Sequence, residues 1–486
     1  MTAQRPEVGP TEVETPVRPT YRPDIDGLRA IAVAAVVAYH TGISGVRGGF
    51  TGVDVFFVIS GYLITGLLLL DIKRYRRIRI LQFYARRVRR ILPMLLLVVL
   101  TTELASILLL SPALRETQRV SHEAIATLLV SANFFFLRAG ENYFSVRSDF
   151  EPLLHTWSLA VEEQFYLLWP AMLAVAYAIS ARTRSPVFWL GVTMGTLCVG
   201  SFACALFLSR WREDWTFYLT AARGWELGAG GLLAITLPSL RGVRRLWGLT
   251  TSVVGFSLIA AGIAFLPAEH SSPLLLLAFP VLGTSLVIAG NTMHPAGPVG
   301  RLLSRHALIQ VGLVSYGWYL WHWPALSLVR ILSLGSHDLV RDCAISVSTL
   351  ALSFVTLRWY ERPLRSGAGI RGLPSGWVVA AGGGATFAAV VLVFGVNAWS
   401  DHKPRTAAEI ALFRAKDDGD TKCLLSLGSA ETSLRRTALS RATSREWSCG
   451  EIRSPTGSLP RCRNGHRGKA RRSRLKNSRS PRARLF

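Results

Sequence analysis

The chain has 486 residues, half of them apolar and 17% charged, with a mean hydropathy of +0.32. Lys and Arg number 55 against 30 Asp and Glu, a formal charge of +25. Soluble domains carry about 25% charged residues, so this balance excludes a wholly disordered chain and argues against an ordinary soluble enzyme. It predicts a membrane protein whose positive charge sits in short loops. Six cysteines (Cys198, Cys204, Cys343, Cys423, Cys449 and Cys462) make no disulfide framework.

Residues 1–22 are polar, Pro-rich and partly acidic, more like a cytoplasmic arm than a signal peptide. A bilayer core of roughly 30 Å needs about 20 apolar residues per helix. Runs of that kind start near Leu28, Val53, Ile91, Glu163, Val187, Ala222, Trp247, Ser272, Leu308, Leu339 and Trp377, which predicts eleven spans. Ala124 to Leu137 is apolar but short and broken by Asn133, so it reads as re-entrant or interfacial. With the N-terminus cytoplasmic, the nine basic residues from Lys73 to Arg90 fall inside, as do Arg182, Arg184, Arg241, Arg244, Arg245, Arg301, Arg305 and the stretch Arg358 to Arg371. The opposite segment Pro267 to Pro273 has none, as the positive-inside rule demands.

The expected organisation is therefore an arm at 1–22, an all-α polytopic membrane domain at 23–366, an eleventh, linking helix at 377–399 and an extracytoplasmic tail at 400–486. From Thr421 onward the tail holds 17 basic and 3 acidic residues with little apolar periodicity. Such composition cannot bury a core, so disorder is expected. Its outer location disfavours nucleic-acid binding, and Cys449, Cys462 and His466 lack zinc spacing. No repeat of fixed period and no paired Gly/Pro-broken spans mark an inverted-repeat transporter.

Ionisable residues inside spans are functional candidates by default. Arg29 and His40 lie eleven positions apart in the first run. At about 100° per residue that is three turns plus roughly 20°, so both share one helix face about 16 Å apart along the axis. Arg29 belongs at the cytoplasmic boundary and His40 about halfway through. The bland alternative is a snorkelling Arg and a His satisfied by a neighbouring helix. His155 and Glu162, seven apart at the start of the fourth span, lie on one face if that segment is helical, whereas Glu163 is rotated by 100° and expected to be solvated. Spacing alone leaves this pair open between acid/base work and an interfacial anchor beside Trp157 and Tyr166.

The loop from Lys73 to Arg90 interleaves its cations with Tyr75, Phe83 and Tyr84. Nine charges exceed what topology needs, which points to an anionic, nucleotide-like ligand held by Arg side chains. No Gly-rich phosphate loop and no Gly-x-Ser-x-Gly elbow is present. Late in the chain, Ser315-Tyr-Gly-Trp-Tyr-Leu-Trp-His-Trp-Pro324 sets five aromatics and His322 in one span. Interfacial aromatic belts explain the rings more easily than the His.

Together these residues resemble the acyltransferase-3 family of integral-membrane O-acyltransferases. The matching pieces are Asp24-Ile-Asp-Gly-Leu-Arg-Ala30, the Arg-x10-His of Arg29 and His40, and Gly49-Phe-Thr-Gly-Val-Asp-Val-Phe-Phe-Val-Ile-Ser-Gly-Tyr62. They continue with Phe83-Tyr-Ala-Arg-Arg-Val-Arg-Arg-Ile-Leu-Pro93, His155 to Pro170, Ser315 to Pro324 and Glu361-Arg-Pro-Leu-Arg365. The resemblance covers roughly residues 20 to 400.

It implies acyl transfer, acetyl first of all, from cytoplasmic acyl-coenzyme A to a hydroxyl of an extracytoplasmic carbohydrate or glycolipid, in the cytoplasmic membrane. By the same resemblance Arg29 and His40 are the essential pair, Arg86, Arg87, Arg89 and Arg90 the basic motif that holds the donor, and Glu162 the Trp-Ser-Leu-x-x-Glu carboxylate. On this reading His40 is the general base or a transient acyl carrier, Glu162 and His155 orient it or the acceptor, and no metal is expected. Many relatives continue into a Ser-Gly-Asn-His hydrolase-like domain; no Gly-Asp-Ser start is visible here, so the tail reads as disordered or as a truncated or frameshifted remnant. A secondary transporter of an anionic or acylated solute is the competing reading, since buried Arg and His also suit solute passage.

Overall fold

The computed structural model describes residues 21–110, 116–140, 143, 146–183, 185–240, 245–267, 274–333, 335–367 and 372–402. Most of the N-terminal arm, Arg184, Arg241, Arg244, and the tail beyond residue 402 lie outside them. Among the described residues the fold is all helix, with no strand. The long helices are α1 (Pro23–His40), α2 (Gly52–Tyr75), α3 (Ile80–Leu109), α6 (Thr156–Ser180), α7 (Pro186–Leu208), α9 (Thr220–Thr236), α10 (Arg245–Phe265), α11 (Leu274–Met293), α13 (His306–Leu332), α14 (Leu339–Thr356) and α16 (Ser375–His402). Each covers one of the eleven apolar runs. Short helices α4 (Glu116–Leu128), α5 (Ala132–Arg138), α8 (Glu213–Tyr218), α12 (Pro298–Leu303) and α15 (Arg362–Ser366) fill the connections.

Among the described residues, six helical segments are long and apolar enough to cross a bilayer, namely Gly49–Tyr75, Ile80–Leu109, Pro186–Leu208, Arg245–Phe265, Leu339–Arg365 and Ser375–Ala398. The protein is an all-α polytopic membrane protein. The long helices that fall short are informative, because α1, α6, α9 and α13 carry Arg29, Glu162, Arg223 and Arg330 inside their apolar runs. Outer helices turn apolar side chains such as Phe188, Phe265 and Phe387 outward. The polar helices bury their charges against one another, since a backbone or side chain in hydrocarbon must be satisfied within the protein.

Local chemistry sets the helix ends. Pro23 opens α1, with Asp24 and Asp26 in its first turn and His40 in its last, complementing the helix dipole. Gly42, at φ +76°, then turns the chain back toward α2. The Asp338 carboxylate caps α14 by accepting the Arg341 backbone N–H at 2.8 Å. The Ala124–Leu137 segment is two helices with a break at Leu129–Ser131, where Val130 has φ +57°. The break therefore lies ahead of Asn133, whose buried amide donates to the Tyr218 carbonyl at 3.0 Å and ties α5 to the end of α8.

α2 packs along α9, α1 along α13, and α10 along α11. The α2–α9 crossing is the tightest of these. A Cβ on Gly61 would lie 1.8 Å from the Leu227 carbonyl oxygen, and one on Gly230 would lie 2.0 Å from that of Val58. Small residues permit such close approach of membrane helices, where packing replaces the hydrophobic drive. Gly230→Val is therefore expected to destabilise the bundle by about 1–3 kcal/mol, read as a lower melting temperature of the detergent-purified protein. An unchanged melt would show that the two helices do not meet there.

Candidate functional site

Two polar regions meet along α1. The first is a partly open cavity of about 80 Å³ lined by α1, α2, α3, α6 and α13. Its polar lining comprises Arg29, Arg87, Arg90, Glu162 and Glu163, with the hydroxyls of Ser60, Ser158, Ser315 and three tyrosines; Val53, Phe57 and Ile64 are among its apolar walls. Three cations face two carboxylates, yet among the described residues none of these five takes part in an ion pair and Arg29 makes no hydrogen bond, although Arg87 stacks over Phe83 and Tyr166. Between α2 and α9, by contrast, buried Arg223 meets Asp54 at 3.1 Å and Glu226 at 2.8 Å. Cations left without carboxylate partners in a partly enclosed space favour an anionic occupant.

Helix phase divides the basic motif. Arg87 and Arg90, three residues apart on α3, line the cavity. Arg86 instead lies 3.9 Å from Asp71, and Arg89 donates to the Leu373 carbonyl at 3.3 Å. Glu162 is held by the hydroxyls of Ser60 and Tyr166, both of which donate to its Oε1. Glu163, expected to be solvated, lines the cavity beside it because α6 is packed on that flank as well.

The second region is a cluster of three imidazoles. His40 Nδ1 lies 2.9 Å from His322 Nε2, and the rings stack at 12° with centroids 5.2 Å apart. His40 Nε2 lies 2.8 Å from the Tyr143 hydroxyl. His322 Nδ1 lies 3.1 Å from the Trp318 carbonyl oxygen, one turn back on α13. His155, immediately ahead of α6, stands edge-on to His322 with centroids 5.7 Å apart. Trp323 closes over His40 at 4.3 Å. Among the described residues no group of three or more His, Cys, Asp or Glu can hold a metal ion, the imidazoles included, since His40 and His322 turn their nitrogens on each other.

Tyr319 and Ser158 separate the two regions. Both line the cavity; their hydroxyls lie 2.7 Å apart, one donating to the other, and lie 2.9 Å (Tyr319) and 3.2 Å (Ser158) from the His155 carbonyl oxygen, which takes the remaining proton. The helix-face arithmetic thus put Arg29 and His40 on the same side of α1, and the structure assigns them to adjoining compartments. Glu162 keeps company with Arg29 and does not touch His40; His155 does the reverse. Spacing could not reveal Tyr143, Ser60, Tyr319 or the partner of His322, because each contact joins segments more than 80 residues apart. The unexplained His in an aromatic span was the one available signal.

Arg330 anchors the imidazole end. Its guanidinium, 2% exposed, meets Asp149 at 2.7 Å and Asp342 at 3.0 Å and donates to the His40 carbonyl. Arg330→Met leaves the buried Asp342 carboxylate with Arg341 alone, at 2.9 Å, and takes the guanidinium from Asp149. A loss of about 1–3 kcal/mol is expected, measured as a lowered melting temperature, with partial recovery in Arg330→Met/Asp342→Asn. Equal melts for wild type and Arg330→Met would contradict the pairing.

Fold and site together define a polytopic helical membrane protein with a cation-rich cavity beside a hydrogen-bonded imidazole pair. Residues 22–358 match the acyltransferase domain of the acyltransferase-3 family, and the chain belongs to that family. It is 32% identical over 358 residues to the peptidoglycan O-acetyltransferase OatA of Listeria monocytogenes, covering 71% of this chain and 56% of that protein. It is 31% identical over 359 residues to YrhL of Bacillus subtilis, whose name carries the same activity as a provisional assignment, covering 71% and 55%. A provisionally named O-acetyltransferase of Staphylococcus aureus strain MSSA476 is 31% identical over 367 residues, covering 73% and 58%. The match thus spans little more than half the length of these relatives. No solved structure matches the chain.

Proposed function

We propose that the chain transfers an acyl group, acetyl by preference, from acyl-coenzyme A on the cytoplasmic side to a hydroxyl of a cell-envelope carbohydrate on the other. The observation that carries this reading is the cavity with Arg29, Arg87 and Arg90 unpaired, which adjoins an imidazole hydrogen-bonded to a hydroxyl. Membership of the family and the names of OatA and YrhL support O-acetylation, and a peptidoglycan sugar is the acceptor their names suggest.

In this mechanism the phosphates of the donor stay with Arg87 and Arg90, where charge-assisted hydrogen bonds replace hydration. Arg29, about 16 Å along α1 from His40, adds a third cation for the anionic end of the donor, from which the extended arm carries the thioester toward His40. His40 Nε2 accepts the proton of the attacking hydroxyl; the Tyr143 oxygen marks where that hydroxyl meets the base. The new O–C bond forms as the C–S bond breaks, and the proton held by His40 passes to the departing thiolate. Glu162, held by Ser60 and Tyr166, restrains the cation-rich side of the cavity and takes no proton in this scheme.

Three variants test the division of labour. Arg87→Gln/Arg90→Gln is expected to weaken acetyl-coenzyme A binding about tenfold or more and to flatten its salt dependence, whereas Arg86→Ala/Arg89→Ala has a smaller effect. His40→Ala should abolish acetyl transfer from labelled acetyl-coenzyme A in membranes while leaving donor binding intact. Wild-type turnover in His40→Ala would end the proposal. Solute flux in proteoliposomes without consumption of acetyl-coenzyme A would establish the transporter in its place.

A further inference from the structure

The polarity of the hydrogen-bond chain through the imidazoles is fixed by its inner end. A backbone carbonyl only accepts, so the contact between His322 Nδ1 and the Trp318 oxygen requires a proton on Nδ1. With that ring neutral, His322 Nε2 carries a lone pair. It faces His40 Nδ1 at 2.9 Å, so His40 Nδ1 must be the donor of that bond. In neutral His40 the single proton is thereby committed to Nδ1, and Nε2 is the lone pair that meets the Tyr143 hydroxyl at 2.8 Å.

Protonating His40 changes only Nε2, because Nδ1 donates to His322 in both states. Every other neighbour is consistent with this direction. His155 stands edge-on to His322, Tyr39 lies beside His40 at 5.5 Å between centroids, and Arg330 reaches the backbone carbonyl of His40, not its ring. His322 is fully buried, as expected of a group whose job is orientation.

We propose that His322 is a positioning residue that fixes the tautomer of His40, so that Nε2 is the one nitrogen free to take and return a proton. It does with a neutral imidazole what a buried carboxylate does in a Ser-His-Asp triad, and a neutral partner spares the bundle a further buried anion. This rests on the role of His40 proposed above.

The test uses three substitutions in the full chain, assayed with acetyl-coenzyme A as donor and native membrane glycan as acceptor. In Gln, the side-chain oxygen extends to the place of His322 Nε2 and can still accept from His40. In Asn, the amide reaches only as far as Nδ1, keeping the contact with Trp318 and losing the one with His40. Leu removes both. We expect His322→Gln to retain kcat within a few-fold. His322→Asn and His322→Leu should lower kcat by 100-fold or more, on the order of a general-base contribution, with KM for acetyl-coenzyme A unchanged. Should Leu fail to fold, the contrast between Asn and Gln, each checked for wild-type melting and monodispersity, carries the test. Equal kcat in Asn and Gln, wild-type kcat in Leu, or a loss confined to KM overturns the tautomer role. An active wild type with any of these results defeats the tautomer role alone, whereas a wild type that transfers no acetyl group defeats the proposed function together with it.

Discussion

Every charge that a membrane helix carries into the bundle must find its counterpart inside the bundle, and the architecture follows from that constraint. Arg223 meets Asp54 and Glu226 between α2 and α9; Arg330 meets Asp342 between α13 and α14 and reaches across to Asp149. These clusters fix which helices are neighbours, since breaking one would take a partner from a buried ion at a cost of about 1–3 kcal/mol. The cavity departs from this pattern: among the described residues, Arg29, Arg87 and Arg90 line it without an ion-pair partner, an arrangement that suits an anionic occupant.

Glycines set the α2–α9 crossing at which the Arg223–Asp54 ion pair lies, since Gly61 and Gly230 let the two backbones approach closely. Rigidity there matters for the site, because α2 also supplies Ser60 to Glu162 and much of the cavity wall. Glu162 is thus held by a helix whose position is set by a buried ion pair elsewhere, so the carboxylate arrives with its geometry already determined.

Much of the fold was legible in the sequence because a bilayer imposes a length and a polarity that single segments reveal alone. Eleven apolar runs became eleven long helices, and a helix period of 3.6 correctly put Arg29 and His40 on the side of α1 that faces the polar interior. What the period could not decide was the basic motif. Arg86, Arg87, Arg89 and Arg90 offer several pairs with three- or four-residue spacing, and the choice of Arg87 with Arg90 depends on where α6 and α13 pack. Glu163 was misjudged for the same reason, because a 100° rotation exposes a residue only when nothing covers that flank. Tyr143 was invisible, since its meeting with His40 is a tertiary accident of a connection 103 residues away.

The wall of Tyr319 and Ser158 completes the argument. A reactive thioester in a wet site would be hydrolysed, so a transferase needs its base kept apart from its donor until the acceptor is in place. Here the cation-rich cavity ends at two hydroxyls tied to each other and to the carbonyl of His155, with the imidazoles immediately beyond. In the unreacted state His40 spends Nε2 on a tyrosine hydroxyl and not on water. Under the proposed function, the partition and the tyrosine serve one purpose from opposite sides, which is to deny a stray water both the base and the carbonyl. The length of α1 between Arg29 and His40 then has a physical rationale: a single rigid helix holds the donor-binding cation and the base about 16 Å apart in fixed register, so that one end of an extended donor can be gripped while its other end meets the base.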